Sequence, residues 1–159
     1  MRHGKVFLAF CLMMLIVSSF AYGAMRMRAR EFAVLCSDGS PQEVRQALNA
    51  GAQPTEQVLI TAAYSNPYPE VIYILISEAK RYGLDFPKMQ ATGSTILNSA
   101  IRGGKPEIVR AVMSFGVNVN ARDKTGRKPL NEALRYGYKS DETGRQEIIN
   151  ILRNAGAKR

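Results

Sequence analysis

Histidine is the scarcest functional residue in this sequence: it occurs once in 159 residues, as His3. An imidazole confined to the third position leaves the rest of the chain without the usual neutral-pH acid–base group and the commonest metal ligand. Cysteine is nearly as rare. Cys11 stands in an apolar leader, so the remainder holds one thiol, Cys36, and no internal disulfide. Cys36 has no histidine to activate it and reads as a small buried side chain. Gly103-Gly104 lacks the Lys-Ser/Thr that follows the glycines of a phosphate loop. Met25 and Met27, two thioethers among arginines, are too few for a soft-metal site. The paired carboxylates Asp141-Glu142 read as part of a solvated loop. These absences argue against an enzyme, and no catalytic residue, cofactor or metal is expected.

What is present begins with a leader. Arg2, His3 and Lys5 form a basic head, Val6 to Val17 is continuously apolar, and Ala21-x-Gly23 supplies the small residues of a cleavage site. Residues 1–23 are therefore expected to be a signal peptide, with export to the periplasm or beyond after cleavage near Gly23. The alternative is an uncleaved inner-membrane anchor. Val6 to Ala24 is uncharged over 19 residues, close to the roughly 20 that span a bilayer. Arg26, Arg28 and Arg30 just beyond it favour retention on the cytoplasmic side.

Over the whole chain, 46% hydrophobic and 22% charged residues are ordinary for a folded protein and exclude disorder as the default. The formal charge is +9. Without Arg2 and Lys5, 20 basic residues face 13 acidic ones, about +7, which favours acidic partners or anionic surfaces.

One phrase occurs twice. Gly93-Ser94-Thr95-Ile96-Leu97-Asn98-Ser99-Ala100-Ile101 is echoed by Gly126-Arg127-Lys128-Pro129-Leu130-Asn131-Glu132-Ala133-Leu134, with Leu97 and Leu130 separated by 33 positions. Between them Pro106 to Asn120 carries apolar residues at helical spacing and breaks at Gly116. A period of 33 with a small-residue helix and then a longer apolar helix resembles the ankyrin repeat. The phrases are similar to that family's Gly-x-Thr-Pro-Leu-His-x-Ala-Ala opening, with Asn in place of His in both copies. Looser copies lie upstream. In the first, Phe32 takes the Leu place, Leu35-Cys36 take the Ala-Ala place, and Pro41 to Ala52 form the second helix. In the second, Leu59 to Ala63 precede Asn66-Pro67-Tyr68-Pro69 and Glu70 to Ile76.

The expected architecture is therefore an all-α ankyrin-repeat solenoid over residues 24–159. It has about four helix-turn-helix units, near 30–52, 55–85, 90–120 and 123–157, with short β-turn fingers. Val71 to Gly83 is 12 positions where Val44 to Gly51 is 7, and the extra residues around Glu78 to Tyr82 predict a longer outer helix. Tyr138 to Gly144 read as an inserted loop. Arg153, where inner units carry an apolar residue, predicts the polar outer face of a terminal cap. Such a stack needs no disulfide.

The resemblance implies binding rather than catalysis. In the ankyrin family, partners dock on the finger tips and the exposed face of the inner helices. The matching finger places are Ala91, Thr92, Ser94, Lys124, Thr125 and Arg127. The inner-helix places are Ser37, Asp38, Tyr64, Ser65, Arg102, Gly103, Arg135 and Tyr136. Tyr64, Arg102, Lys124, Arg127, Arg135 and Tyr136 are the candidate partner-binding residues, since Tyr and Arg are enriched among hot spots. The basic patch Arg122, Lys124, Arg127, Lys128 and Arg135 suits an acidic protein.

The expected function is a monomeric, non-enzymatic protein–protein interaction module of the bacterial envelope, touching membrane only through an uncleaved leader. One alternative is an inhibitor or immunity-type protein that blocks a toxic or hydrolytic periplasmic enzyme. Another is a binder of nucleic acid or anionic lipid, disfavoured by the sparse aromatics available for stacking on bases.

Overall fold

The computed structural model describes residues 29–84, 90–135 and 141–159. They form eight helices and, among the described residues, no strand. In chain order these are α1 (Ala29–Asp38), α2 (Pro41–Asn49), α3 (Glu56–Ser65), α4 (Pro69–Arg81), α5 (Gln90–Gly103), α6 (Pro106–Met113), α7 (Pro129–Arg135) and α8 (Glu142–Asn154). The leader and Tyr136 to Ser140 lie outside the described residues. No helix among the described residues is long and apolar enough to cross a membrane.

Odd-numbered helices pack on odd-numbered ones and even on even, each against its neighbour in sequence. The chain is thus two ranks of helices, an inner rank α1-α3-α5-α7 and an outer rank α2-α4-α6-α8. Small side chains let the inner rank approach closely: Ala62, Ala63, Ala100 and Ala133 are all buried. The outer rank supplies bulk from Val44, Leu48, Val71, Ile74, Leu75, Ile108, Val112, Ile148 and Leu152. Met113 is only half-buried. Phe32 fills the leucine place of the first unit at 1% exposure, and Cys36 is completely enclosed. Burial drives the Cys36 thiol up to about 12, so it stays protonated and unreactive.

Local chemistry sets the ends of these helices. Ser40 caps α2 reciprocally, its side chain accepting from the Glu43 amide while Glu43 accepts from the Ser40 amide. The bonds its carboxylate accepts from the Ser40 amide and then the Ser40 hydroxyl hold the exposed Glu43 carboxyl below its ordinary value. Pro69 and Pro106 begin α4 and α6, where the missing N–H has no helical partner to lose. The outer helices α2, α4 and α8 close on glycines with positive φ, Gly51, Gly83 and Gly156. In each the next amide reaches five residues back, as Leu84 N–H does to the Ala79 carbonyl at 3.0 Å.

The long outer helix is present: α4 has 13 residues against 9 in α2 and 8 in α6. Two expectations change. Glu142-Thr143-Gly144 are not loop but the first turn of α8, because the Asp141 side chain accepts from the Gly144 amide at 2.8 Å and caps the helix. Ala91, Thr92 and Ser94, expected in a finger, lie within α5.

Polar side chains tie the α3–α4 and α5–α6 turns to the unit before each. Buried Asn66, after α3, donates to the Cys36 and Gly39 carbonyls at 3.1 and 3.0 Å. Lys105, before α6, donates to the Ser65 and Asn66 carbonyls at 2.5 and 3.1 Å. The carbonyls left over at the ends of α1 and α3 are thus satisfied by the next unit.

Candidate partner-binding face

The finger between α6 and α7 is built on one carboxylate. Asp123 Oδ1 accepts from the Thr125 amide (2.8 Å), the Thr125 hydroxyl (2.6 Å) and the Arg127 amide (2.9 Å). The Asp123 amide donates to the Arg127 carbonyl, and Gly126, at φ 78°, donates to the Asp123 carbonyl. This is an Asp-initiated turn, in which a short side chain replaces backbone acceptors. The position 33 residues earlier is Gln90, which has no such short carboxylate. Residues 91–94 continue a helix where 124–127 form a tip.

Asp123 Oδ2 faces inward and accepts from Asn98 Nδ2 at 3.1 Å. Asn98 stands at the place of the family's histidine, so the substituted residue still ties inner helix to finger. Burial pushes the Asp123 carboxyl up. The hydrogen bonds from the Thr125 hydroxyl, the Arg127 and Thr125 amides and Asn98 outweigh it, and the group titrates below its ordinary value.

The sign of the resulting pH dependence follows. A depressed folded pKa gives stability that is whole above the unfolded value and lost as pH falls through the folded one. Thermal midpoints measured from neutral pH downward should therefore drop below about pH 4. Asp123→Asn should start lower and show a shallower acid slope.

Glu132 is the feature that sequence reasoning missed. It lies in α7 at 0% exposure. Arg102 Nε, from the last turn of α5, donates to its Oε1, and Arg127 Nη1 lies 3.8 Å from Oε2. Arg102 Nη2 also stands 3.7 Å from Asp123 Oδ2. Two acids and two arginines thus close a charge-balanced network over the α5–α7 seam. The signal was present: Glu132 occupies the place of Ser99, 33 positions earlier, so one copy has a small side chain where the other has an acid.

The candidate residues fall into different settings. Arg102 and Arg127 come together around Glu132, each retaining about a third of its side-chain exposure. Lys124 and Thr125 project from the finger tip, exposed. Tyr64 ends α3 at 38% exposure, and Arg135 ends α7, exposed. Tyr64, Arg102 and Arg135 thus mark the carboxyl ends of successive inner helices. Ser37 bonds its own helix, its hydroxyl donating to the Val34 carbonyl. Asp38 is exposed, and the Ser65 carbonyl receives Lys105. Tyr136 lies outside the described residues.

Gly103, one of the inner-helix places, ends α5 and has a tighter job. A Cβ there would meet the Tyr64 carbonyl oxygen at 2.4 Å and the Ala63 oxygen at 3.2 Å. Both obstacles are backbone and cannot rotate away. Gly103→Ala should therefore destabilise by about 1–3 kcal/mol, as overpacking does, and push α3 and α5 apart. Chemical denaturation reads the first effect. A loss of less than half that amount would show that the seam yields.

A family model for ankyrin repeats, in three copies, matches residues 59–158. The match begins in α3 and runs through α8, leaving α1 and α2 ahead of it. No curated protein matches the chain.

Proposed function

The chain belongs to the ankyrin-repeat family, whose members are as a rule non-enzymatic protein–protein interaction modules, and from that premise we propose that this chain captures a protein partner on its inner rank and finger. The observation that carries the reading is the alignment of Tyr64, Arg102 and Arg135 at successive inner-helix ends, beside an exposed finger. Tyr64 and Arg135 are the anchors in this reading. Arg102 and Arg127 contribute by holding the Glu132 network that fixes the finger against α5.

The compartment in this proposal is the bacterial envelope. Its support is the basic head, the apolar run from Val6 to Val17 and the small residues before Ala24. N-terminal sequencing of the fractionated protein tests it: a mature start near Ala24 supports export, and an intact Met1 in the membrane fraction replaces export with anchoring.

The binding face is tested by capture from an envelope fraction, comparing the wild type with Tyr64→Ala/Arg135→Ala. Tyr64, at 38% exposure, and Arg135 lie at the surface, and the melting temperature of the double variant, read alongside, separates a lost contact from a lost fold. Recovery of the principal partner should fall at least about tenfold if these are hot spots. Undiminished recovery would remove this face from consideration.

A further inference from the structure

The two halves of the stack differ in charge. Residues 29–84 carry 4 Lys/Arg against 6 Asp/Glu, a balance of −2, whereas residues 102–159 carry 13 against 6, a balance of +7. Part of that excess is neutralised locally. Arg102, Arg110, Arg127 and Arg145 each have a carboxylate within ion-pair distance. Arg122, Lys124 and Lys158 have none among the described residues.

The fold gathers these unneutralised cations at one edge. Asn120, just before the finger, donates through Nδ2 to the Gly156 carbonyl at 3.0 Å, and its Oδ1 accepts from the Lys158 amide at 2.7 Å. The tail after α8 is thereby clipped to the base of the finger. Lys128 Nζ completes the clip by donating to the Arg159 backbone oxygen at 2.9 Å. Arg122, on the other strand of the finger, donates to the Gly126 carbonyl at 2.8 Å. Arg122, Lys124, Lys158 and Arg159 remain exposed. Like charges held together raise the local potential and attract an anion.

The geometry points to this finger-and-tail edge as a docking site for an acidic segment of a protein partner, rich in Asp and Glu. The inference rests on the binding-module reading and adds to it the chemistry of the partner and the tail residues Lys158 and Arg159. A protein is favoured over nucleic acid or membrane by what the edge lacks. Among the described residues, the exposed large hydrophobics are Val34, Tyr64, Tyr68, Tyr73 and Tyr82, all in the first two units. None of these stands beside the edge to stack on bases or to enter a bilayer.

The test uses the full chain and a fluorescent peptide of alternating Glu and Ser, with its Gln/Ser counterpart as control. The acidic peptide should bind with salt-sensitive affinity and the neutral one should not. Arg122→Gln/Lys124→Gln/Lys158→Gln should weaken binding about tenfold, the scale for removing three exposed charge contacts. A control triple variant on the outer rank, Arg45→Gln/Lys80→Gln/Arg81→Gln, removes the same charge and should leave affinity within about twofold. Equal weakening in both triples would mean that net charge alone is read, and would overturn the site. So would tighter binding of a twelve-residue oligothymidylate or of phosphatidylglycerol vesicles. If Tyr64→Ala/Arg135→Ala abolishes partner capture while the edge triple leaves it intact, the acidic edge fails and the binding-module reading stands.

Discussion

Arg102→Ala is expected to destabilise the stack by about 3 kcal/mol, the lower end of what removing one partner from a buried ion pair costs. The asymmetry of the pair gives this number its meaning. Glu132 has no solvent access, whereas Arg102 keeps 39% of its side chain in water. Removing the arginine strands a carboxylate that can hydrate only by opening the α5–α7 seam. Arg127, 3.8 Å away, supplies partial compensation and keeps the loss from the upper end of the range.

Removing the acid does the opposite. In Glu132→Leu both arginines can turn outward and hydrate, and the leucine fills an apolar seam, so this variant should lose less than half as much. Urea unfolding of the two variants decides between the orders. Glu132→Leu as the more damaging change would mean that the carboxylate acts mainly by organising the finger through Arg127. The comparison also bears on function: Arg102 reads as a surface hot spot from its sequence position, yet its guanidinium is engaged inside the molecule.

This marks the border of what the sequence discloses. The period of 33, the small inner helices, the bulky outer ones and the longer α4 follow from spacing and composition, because they depend on a residue's neighbours along the chain. The burial of Cys36 and Phe32 follows from register for the same reason. The Glu132 network does not, since its partners come from 30 residues before and from the finger. A helix-period pattern treats any glutamate as solvated. At 91–94 the chain is helical where 124–127 form a finger, and Gln90 stands in the place of Asp123. The α8 cap turns on Asp141, which composition places in a loop. Side chains that hydrogen-bond backbone a few residues away move element ends, and hydrophobic periodicity is blind to them.

Leu97→Ala is expected to lose about 2–5 kcal/mol, the range for core leucines. The upper half is the better expectation. Leu97 is fully enclosed in α5, and α5 packs against α3, α6 and α7 together. The cavity would open where two seams meet, and backbone on both sides resists collapse. Stability in a stack is roughly a sum of unit terms and nearest-neighbour interface terms. Weakening a central unit should therefore split unfolding into two steps, seen as a reduced denaturant slope. Met113→Ala, at a half-buried outer position, serves as the comparison and should lose less than half as much with the slope unchanged. A Leu97→Ala loss under about 1 kcal/mol with single-step unfolding would place that side chain outside the core.

The brackets made by Asn66 and Lys105 have a consequence for synthesis. Chains emerge from the ribosome amino end first, and here every bracket reaches backward, from a later turn to an earlier one. The opening hairpin cannot be sealed when its own residues have been made; it waits for Asn66, and the second waits in turn for Lys105. Maturation should accordingly advance like a zip whose slider trails one tooth behind the exit tunnel, and a pause in translation before residue 105 would leave the second hairpin unlatched.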